Sequence, residues 1–358
     1  MIPLWTSDAP GARLARATLV PLTLIYAGTM RARRWVYRAG LRRRHRLARP
    51  AVAVGGLTVG GAGKTPLASW IARWYAQRGA RPAVLLRDYR GDEAVVHRFA
   101  LPEAIVVATA DRVQGARKAA AAGARVLVLD DAFQHLRVRP DVSVVLVSVE
   151  SFAASPLLLP AGPWRERWDA LRDADLIVLT AKTAGSSAMA QAARTLRARA
   201  PGLPVAVARL HLTALRGLRG GAATSLGDLA GRRVLAACGI ADPSAFAAQL
   251  RAAGADVVLR AWRDHHAFTD RDVARLRREG QGVDHVVVTM KDAVKLRARW
   301  PTDAPEPLVA ELGITWERGR AAVDRALERC LGDSSRRLRR RADAGAAGVT
   351  TALARREP

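Results

Sequence analysis

The stretch "GGLTVGGAGKTP", Gly55 to Pro66, follows the apolar run "AVAV", Ala51 to Val54, and leads into "LASWIARWYAQRG", Leu67 to Gly79. A strand, a glycine loop, Lys-Thr and a helix in that order form a phosphate cradle. Gly60, Gly61 and Gly63 let the backbone turn sharply and bring N–H groups against phosphate oxygens, where a Cβ would intrude. Lys64 has the reach for β- and γ-phosphates, and the Thr65 hydroxyl is of the type that ligates Mg²⁺. Pro66 stands where the helix begins, since a first-turn residue needs no N–H. Leu67, Trp70, Ile71, Trp74 and Tyr75 recur at helical spacing until Gly79 ends the run. The strict P-loop carries Gly five residues before the Gly of Gly-Lys; this chain has Thr58 there, and its loop takes the form GGxGKT.

Such a loop requires an acidic partner for Mg²⁺ at the end of a neighbouring strand. "RVLVLDDAFQH", Arg125 to His135, supplies one, with Asp130 and Asp131 emerging where open α/β sheets bind their ligands. Adjacent carboxylates repel each other unless a cation neutralises them, which sets the metal reading against that of a solvated turn. Asp92 in "RGDEAVV" and His265 in "RDHHAF" lie far apart. Each alone reads as a surface turn residue or a satisfied polar group.

Around the loop, short β-rich runs alternate with Ala/Arg-rich helical ones, the pattern of an α/β fold with parallel strands. Strands are expected at 51–54, 83–86, 105–108, 126–129, 142–147 and 176–180. A second set follows "PGLP", at 205–212, 234–238, 257–261 and 286–289, which places a domain boundary near residue 205. The tail from Ser334, basic and Ala-rich, offers little to bury and is expected to be disordered. Cys238 and Cys330 stand alone, which suggests a reducing compartment and no cysteine metal site.

With 58 Lys+Arg against 32 Asp+Glu in 358 residues, the net charge is +26. That balance favours polyanionic partners, although an Arg-rich composition serving solubility gives the same total. The charge clusters at the amino terminus. "ATLVPLTLIYAGTM", Ala17 to Met30, is short for a span and is followed by the Arg-rich run Arg31 to Arg49, with Trp35 and Tyr37 interleaved. The pairing predicts a helix lying in the headgroup region of an anionic membrane surface; a core helix followed by a solvated basic face is the alternative. No recognition helix or RNA-binding signature accompanies the charge, so nucleic acid is not an expected partner.

"GGLTVGGAGKTP", "GDEAV", "DDAFQHLRVRPD", "LLPAGPWRE", "CGIADPSAF", "RDHHAF" and "TMKDAVKL" follow one another in the order and approximate spacing of the tetraacyldisaccharide 4'-kinase family, the lipid A 4'-kinases. The resemblance covers roughly residues 15 to 330. It implies a P-loop NTPase-like parallel sheet flanked by helices with a second, smaller α/β lobe. Residues 1–49 would form the membrane-associating segment, 50–205 the ATP-binding domain, 206–332 the closing lobe and 333–358 the tail. The implied reaction moves the γ-phosphoryl of ATP to the 4'-hydroxyl of an acylated glucosamine disaccharide 1-phosphate. The enzyme would act at the cytoplasmic face of the bacterial inner membrane as a peripheral or monotopic protein, with a monomer favoured.

The resemblance further implies that Thr58, Val59, Gly60, Gly61, Ala62, Gly63, Lys64 and Thr65 form the ATP loop. Thr65, Asp130 and Asp131 would serve Mg²⁺. Lys64 and Asp131 would stabilise charge, and Asp92 would be the general base with His265 paired to it once the lobes close; His266 would be a bystander. The chain departs from the family's pattern at Gly56, at Ser148, at Met290 and in a contracted segment between Arg87 and Gly91. Two other classes fit parts of the pattern: a nucleotide-switched ATPase or GTPase, which also uses GGxGKT, and a non-catalytic membrane-bound relative. Neither the switch nor a bare P-loop accounts for Asp92, "DHHAF" and the apolar-basic amino terminus.

Overall fold

The computed structural model describes residues 3–87, 91–152 and 157–332. The tail expected to be disordered and Asp88 to Arg90 of the contracted segment lie outside the described residues. Every strand expected from the sequence is present among β1 (His45–Arg46), β2 (Ala51–Gly56), β3 (Pro82–Leu86), β4 (Ile105–Ala108), β5 (Val126–Leu129), β6 (Val138–Arg139), β7 (Val142–Ser148), β8 (Leu176–Ala181), β9 (Val205–Gly217), β10 (Gly220–Thr224), β11 (Arg233–Cys238), β12 (Asp256–Ala261), β13 (His285–Thr289) and β14 (Leu308–Arg318). β1 and β6 pair with each other; the rest form a 12-stranded sheet in the order β12-β11-β13-β14-β9-β8-β7-β2-β5-β3-β4, with β10 on β9.

The central strands are covered by helices on both faces, which is why "AVAVGG" and "VLVL" carry no polar alternation and every residue in them is buried. β2 lies between β5 and β7, parallel to both. The glycine loop and the Asp130-Asp131 pair therefore leave neighbouring strands at the same end of the sheet, the end at which ligands of open α/β sheets bind.

The sheet is largely parallel, as expected, and is antiparallel at β9, which pairs in that sense with both β10 and β14. β14 runs antiparallel to β9 from Leu308 opposite Gly217 to Arg318 opposite Val207, with register shifts at Glu311/Leu312 and Trp316/Arg318. Its sequence, "LVAELGITWER", breaks its apolar run with Glu311, Gly313 and Glu317 because much of the ribbon is exposed. β9 and β14 carry the sheet from its amino-terminal half into its carboxyl-terminal half. A last helix at 320–332 packs back on the first half. Val323, Leu327 and Cys330 join Leu67, Ile71, Trp74 and Tyr75 in one core, Trp74 Nε1 donates to Asp324 at 2.8 Å, and the Tyr75 hydroxyl donates to the Leu327 carbonyl at 3.0 Å.

The apolar run and the basic run as far as Arg38 form one helix, Pro10–Arg38, whereas the rest of the basic run leaves the helix and places His45 and Arg46 in β1, which corrects the expectation of a helix through Arg49. The helix's period of 3.6 puts Thr23, Tyr26 and Arg34 on one face. Thr23 Oγ1 accepts from the Ala161 N–H at 3.2 Å, and the Tyr26 hydroxyl donates to the Arg165 carbonyl at 3.0 Å. Arg34 corrects the expectation that the whole run from Arg31 faces lipid headgroups. It is buried, pairs with Glu166 and Asp173, and stacks over Phe133. Carboxylates beneath the helix claim the buried Arg34, and Asp173 also pairs with Arg38 at 3.3 Å and Arg44 at 3.9 Å. The opposite face leaves Leu14, Leu24 and Ile25 about two-thirds exposed, together with Leu22 and Trp35. Among the described residues no helix is long and apolar enough to cross a membrane.

Removing one partner of a buried ion pair leaves the other charge stranded, so Arg34→Ala should cost about 3 kcal/mol of folding stability in urea unfolding. Arg42→Ala, at an exposed position, should cost less than about 0.5 kcal/mol. Equal midpoints for the two variants would refute the structural role of Arg34.

Candidate active site

The carboxyl end of β2 runs directly into the glycine loop. Gly60, Gly61 and Gly63 have φ of 70°, 51° and 85°, a left-handed stretch that only glycine adopts readily. At Gly63 a Cβ would also lie 2.3 Å from Leu210 Cδ1. The turn delivers the chain into the helix Lys64–Ala76, which begins two residues before Pro66 and still loses no hydrogen bond to it. The first-turn N–H groups and the helix dipole face the loop's concavity, the physical basis of an anion site. Thr58 and Val59 turn away: Thr58 is buried in a β-bridge with Trp164, and the Val59 N–H donates to the Pro163 carbonyl at 2.8 Å. They anchor the base of the loop, whereas Gly60 to Thr65 line the cleft.

Asp130 and Asp131 are adjacent but face different partners. Asp131, at φ 47°, takes Lys64 Nζ at 3.1 Å and accepts from Arg165 through both carboxylate oxygens, at 2.8 and 2.9 Å. Burial pushes its carboxyl up, but Lys64 and Arg165 outweigh that and hold it below the usual carboxylate range. Asp130 is 2% exposed; its Oδ2 lies 3.0 Å from His97 Nε2, and its Oδ1 is buried with no hydrogen-bond partner.

The helix Asp92–Ala100 starts at Asp92, after Gly91 at φ 82°. His265 comes from the opposite half of the sheet, on a tight turn after β12; it sits at φ 60°, and its backbone N–H donates to the Gly239 carbonyl at 3.0 Å. Its Nδ1 lies 3.0 Å from Asp92 Oδ2, so the pair implied by the motifs is formed. Lys295 Nζ lies 3.3 Å from the same oxygen. The His265 hydrogen bond first, then the Lys295 charge, hold the Asp92 carboxyl well below the usual carboxylate range against the opposing pull of burial. Next to it, burial pushes Glu93 up and nearby Asp130 and Asp92 add to the rise, while Lys291, 3.6 Å away, opposes it. His266 turns from this site to Asp272 at 3.0 Å and stacks on Trp262.

All of this surrounds one cleft of about 1410 Å³, lined by Gly60 to Thr65, Asp92, Asp130, Asp131 and His265. Sequence reasoning passed over Lys291, Lys295, Arg165 and His97. The lysines were legible in "TMKDAVKL", where a spacing of four puts both ammonium groups on one helix face. His97 carried no signal, because an isolated histidine in a helical run has no motif to mark it.

The donors fit a nucleotide's magnesium. Asp130 Oδ1, Asp131 and the Thr65 hydroxyl are hard oxygens, and Asp130 Oδ1 is a buried acceptor with nothing to accept from. Among the described residues no group of three or more His, Cys, Asp or Glu is arranged to hold a metal ion. A magnesium held jointly by one or two carboxylates and by substrate phosphates needs no such group.

The family model for tetraacyldisaccharide-1-P 4'-kinase matches residues 15–331. The chain belongs to the tetraacyldisaccharide 4'-kinase family. It is 36% identical over 343 residues to the tetraacyldisaccharide 4'-kinase of Pelobacter propionicus, covering 87% of this chain and 93% of that one. It is 35% identical over 357 residues to that of Anaeromyxobacter sp. (strain K), covering 92% and 94%. The crystal structure of the "apo" form of LpxK from Aquifex aeolicus in complex with ATP superposes with a TM-score of 0.70, over 88% of this chain and 99% of that one at 24% identity, and supports the fold. The lipid A 4'-kinase family expected from the seven motifs is thus borne out, as is the P-loop NTPase-like sheet flanked by helices. Members of the tetraacyldisaccharide 4'-kinase family are ATP-dependent kinases, and ATP with Mg²⁺ is the cofactor set that membership brings.

Proposed function

We propose that this chain phosphorylates the 4'-hydroxyl of an acylated disaccharide 1-phosphate at the cytoplasmic face of the inner membrane, with Asp92 as general base. The observation that carries the reading is the Asp92–His265 pair, drawn from opposite halves of the sheet and lining the same cleft as Lys64. A sugar hydroxyl is a weak nucleophile, so a carboxylate must take its proton as the new P–O bond forms. Asp92 is that carboxylate; His265 and Lys295 keep it ionised, and His265 orients it. Lys64 stabilises charge on the β- and γ-phosphoryl oxygens, and Arg165 fixes Asp131 at the loop's mouth. Thr65, Asp130 and Asp131 would hold Mg²⁺, which would supply positive charge to offset the charge on the transferring phosphoryl group. The two halves of the sheet act as lobes that close over the donor and exclude the water that would hydrolyse ATP. A nucleotide switch gives no role to a carboxylate–imidazole pair lining the same cleft as the phosphate loop.

The test uses purified protein, [γ-³²P]ATP and acylated disaccharide 1-phosphate, resolved by thin-layer chromatography. Label entering the lipid at the 4'-position supports the reading. Release of inorganic phosphate with no labelled lipid would leave an ATPase.

The acceptor carries several acyl chains and sits in a bilayer, so the enzyme must dock there. The exposed apolar face of the Pro10–Arg38 helix, with Leu14, Leu22, Leu24, Ile25 and Trp35, would enter the acyl boundary, while Arg42, Arg43 and Arg46 beyond it meet anionic headgroups. Each basic residue near such a surface contributes about 1 kcal/mol, and that share weakens with salt whereas the apolar share does not. Neutralising Arg42, Arg43 and Arg46 should give a partial, salt-sensitive loss of co-sedimentation with anionic vesicles. Replacing Leu14, Leu24 and Ile25 by Ser should give a loss that persists at high salt. Full vesicle binding by both variants would refute docking through this helix.

A further inference from the structure

His97 is fully buried within the helix that carries Asp92 and Glu93, and the mechanism above does not use it. Its ring joins two other elements. Nδ1 lies 3.0 Å from the Ser69 hydroxyl on the phosphate-loop helix, and Nε2 lies 3.0 Å from Asp130 Oδ2 at the end of β5. A carboxylate oxygen only accepts, so Nε2 carries the hydrogen toward Asp130, and the Ser69 hydroxyl, which can donate or accept, completes the chain at Nδ1. Ser69 and Asp130 both line the cleft, and the remaining Asp130 oxygen is buried without a partner.

We propose that His97 is a positioning residue: the Ser69–His97–Asp130 chain locks one carboxylate oxygen of Asp130 so that the other is presented to the magnesium of the bound nucleotide. The inference rests on the reading of Asp130 as a magnesium-facing group. Three elements meet in the imidazole: the phosphate-loop helix, the strand end that bears the acidic pair, and the helix that bears the general base. A hydrogen bond behind a metal-facing carboxylate fixes its rotamer before the cation arrives, and loss of such an outer partner typically costs 10- to 100-fold in metal affinity. The same chain ties the register of Asp92 to that of the nucleotide, since His97 and Asp92 share one rigid helix.

The test measures ADP affinity by titration calorimetry on the full-length protein, once with saturating Mg²⁺ and once with EDTA. His97→Leu should weaken ADP binding in Mg²⁺ by about tenfold or more and change it less than about twofold in EDTA. His97→Gln can still reach Asp130 from a position like that of Nε2 and should retain most of the magnesium-dependent gain. His97→Asn reaches only toward Ser69 and should not. Equal losses in Mg²⁺ and in EDTA would mean a merely structural histidine, and equal behaviour of the Gln and Asn variants would remove the proposal even if the Leu variant does not fold. Asp130→Asn separates the two layers of the argument. If it leaves the magnesium-dependent gain intact, the reading of Asp130 itself fails; if it abolishes that gain while His97→Leu preserves it, only the positioning role fails.

Discussion

Lys64→Ala should lower the rate of phosphoryl transfer by roughly a thousandfold, the upper span seen when one preorganised donor to a charged transition state is removed. Charge gathers on the oxygens between the β- and γ-phosphorus atoms as the bond to the leaving group loosens, and the ammonium of Lys64 is the group proposed to meet it. Its side chain is only 13% exposed and is already directed by Asp131 at 3.1 Å, so little reorganisation is left for the moment of reaction. Arg165 still holds both oxygens of Asp131 in the variant, which keeps the acidic turn in place and makes the lost charge the main change. Single-turnover transfer from [γ-³²P]ATP to lipid reports the step directly. A rate within tenfold of the parent, with unchanged unfolding, would show that the phosphate loop does not perform the chemistry.

How much of this was legible in the sequence depended on whether the signal was local. The phosphate loop declares itself because one short segment must supply the strand, the left-handed glycines and the helix start. Asp130 and Asp131 were legible for the same reason, as a polar pair at the tip of a fully apolar strand. The pairing of Asp92 with His265 was not local: 173 residues separate them, and only the resemblance to a family joined them before the sheet did. β14 was missed because a ribbon exposed on one side mixes Glu and Gly into its apolar pattern. Arg34 was misread because a run of arginines looks uniformly solvated, and nothing in the run marks the one that meets Glu166 and Asp173. His97 was invisible, since its partners Ser69 and Asp130 come from two other elements and only packing brings the three together.

Asp92→Asn should reduce turnover by roughly a hundredfold or more, the usual span of general-base catalysis, and leave ATP affinity nearly unchanged, because the proposed base acts on the acceptor hydroxyl and not on the nucleotide. The amide keeps the size of the carboxyl, so the loss reports lost basicity rather than a hole. The pH dependence follows from the direction of the shift. The folded-state pKa of Asp92 lies below its unfolded value of about 3.9, so its ionised form contributes stability that is present above that value and is lost as pH falls through the depressed folded value. As the proposed base, Asp92 is therefore ionised from about pH 5 upward, and the activity profile of the parent enzyme should show no acid limb due to Asp92 in that range. His265→Ala removes the strongest influence holding the carboxyl down; an acid limb should then rise toward the ordinary carboxylate range, with a rate loss smaller than that of Asp92→Asn. Because the two side chains act through one hydrogen bond, the double variant should be little worse than Asp92→Asn alone. Strictly additive losses, read as kcat/KM across pH, would mean that the carboxylate and the imidazole work independently and that the 3.0 Å contact between them is not part of the proton transfer.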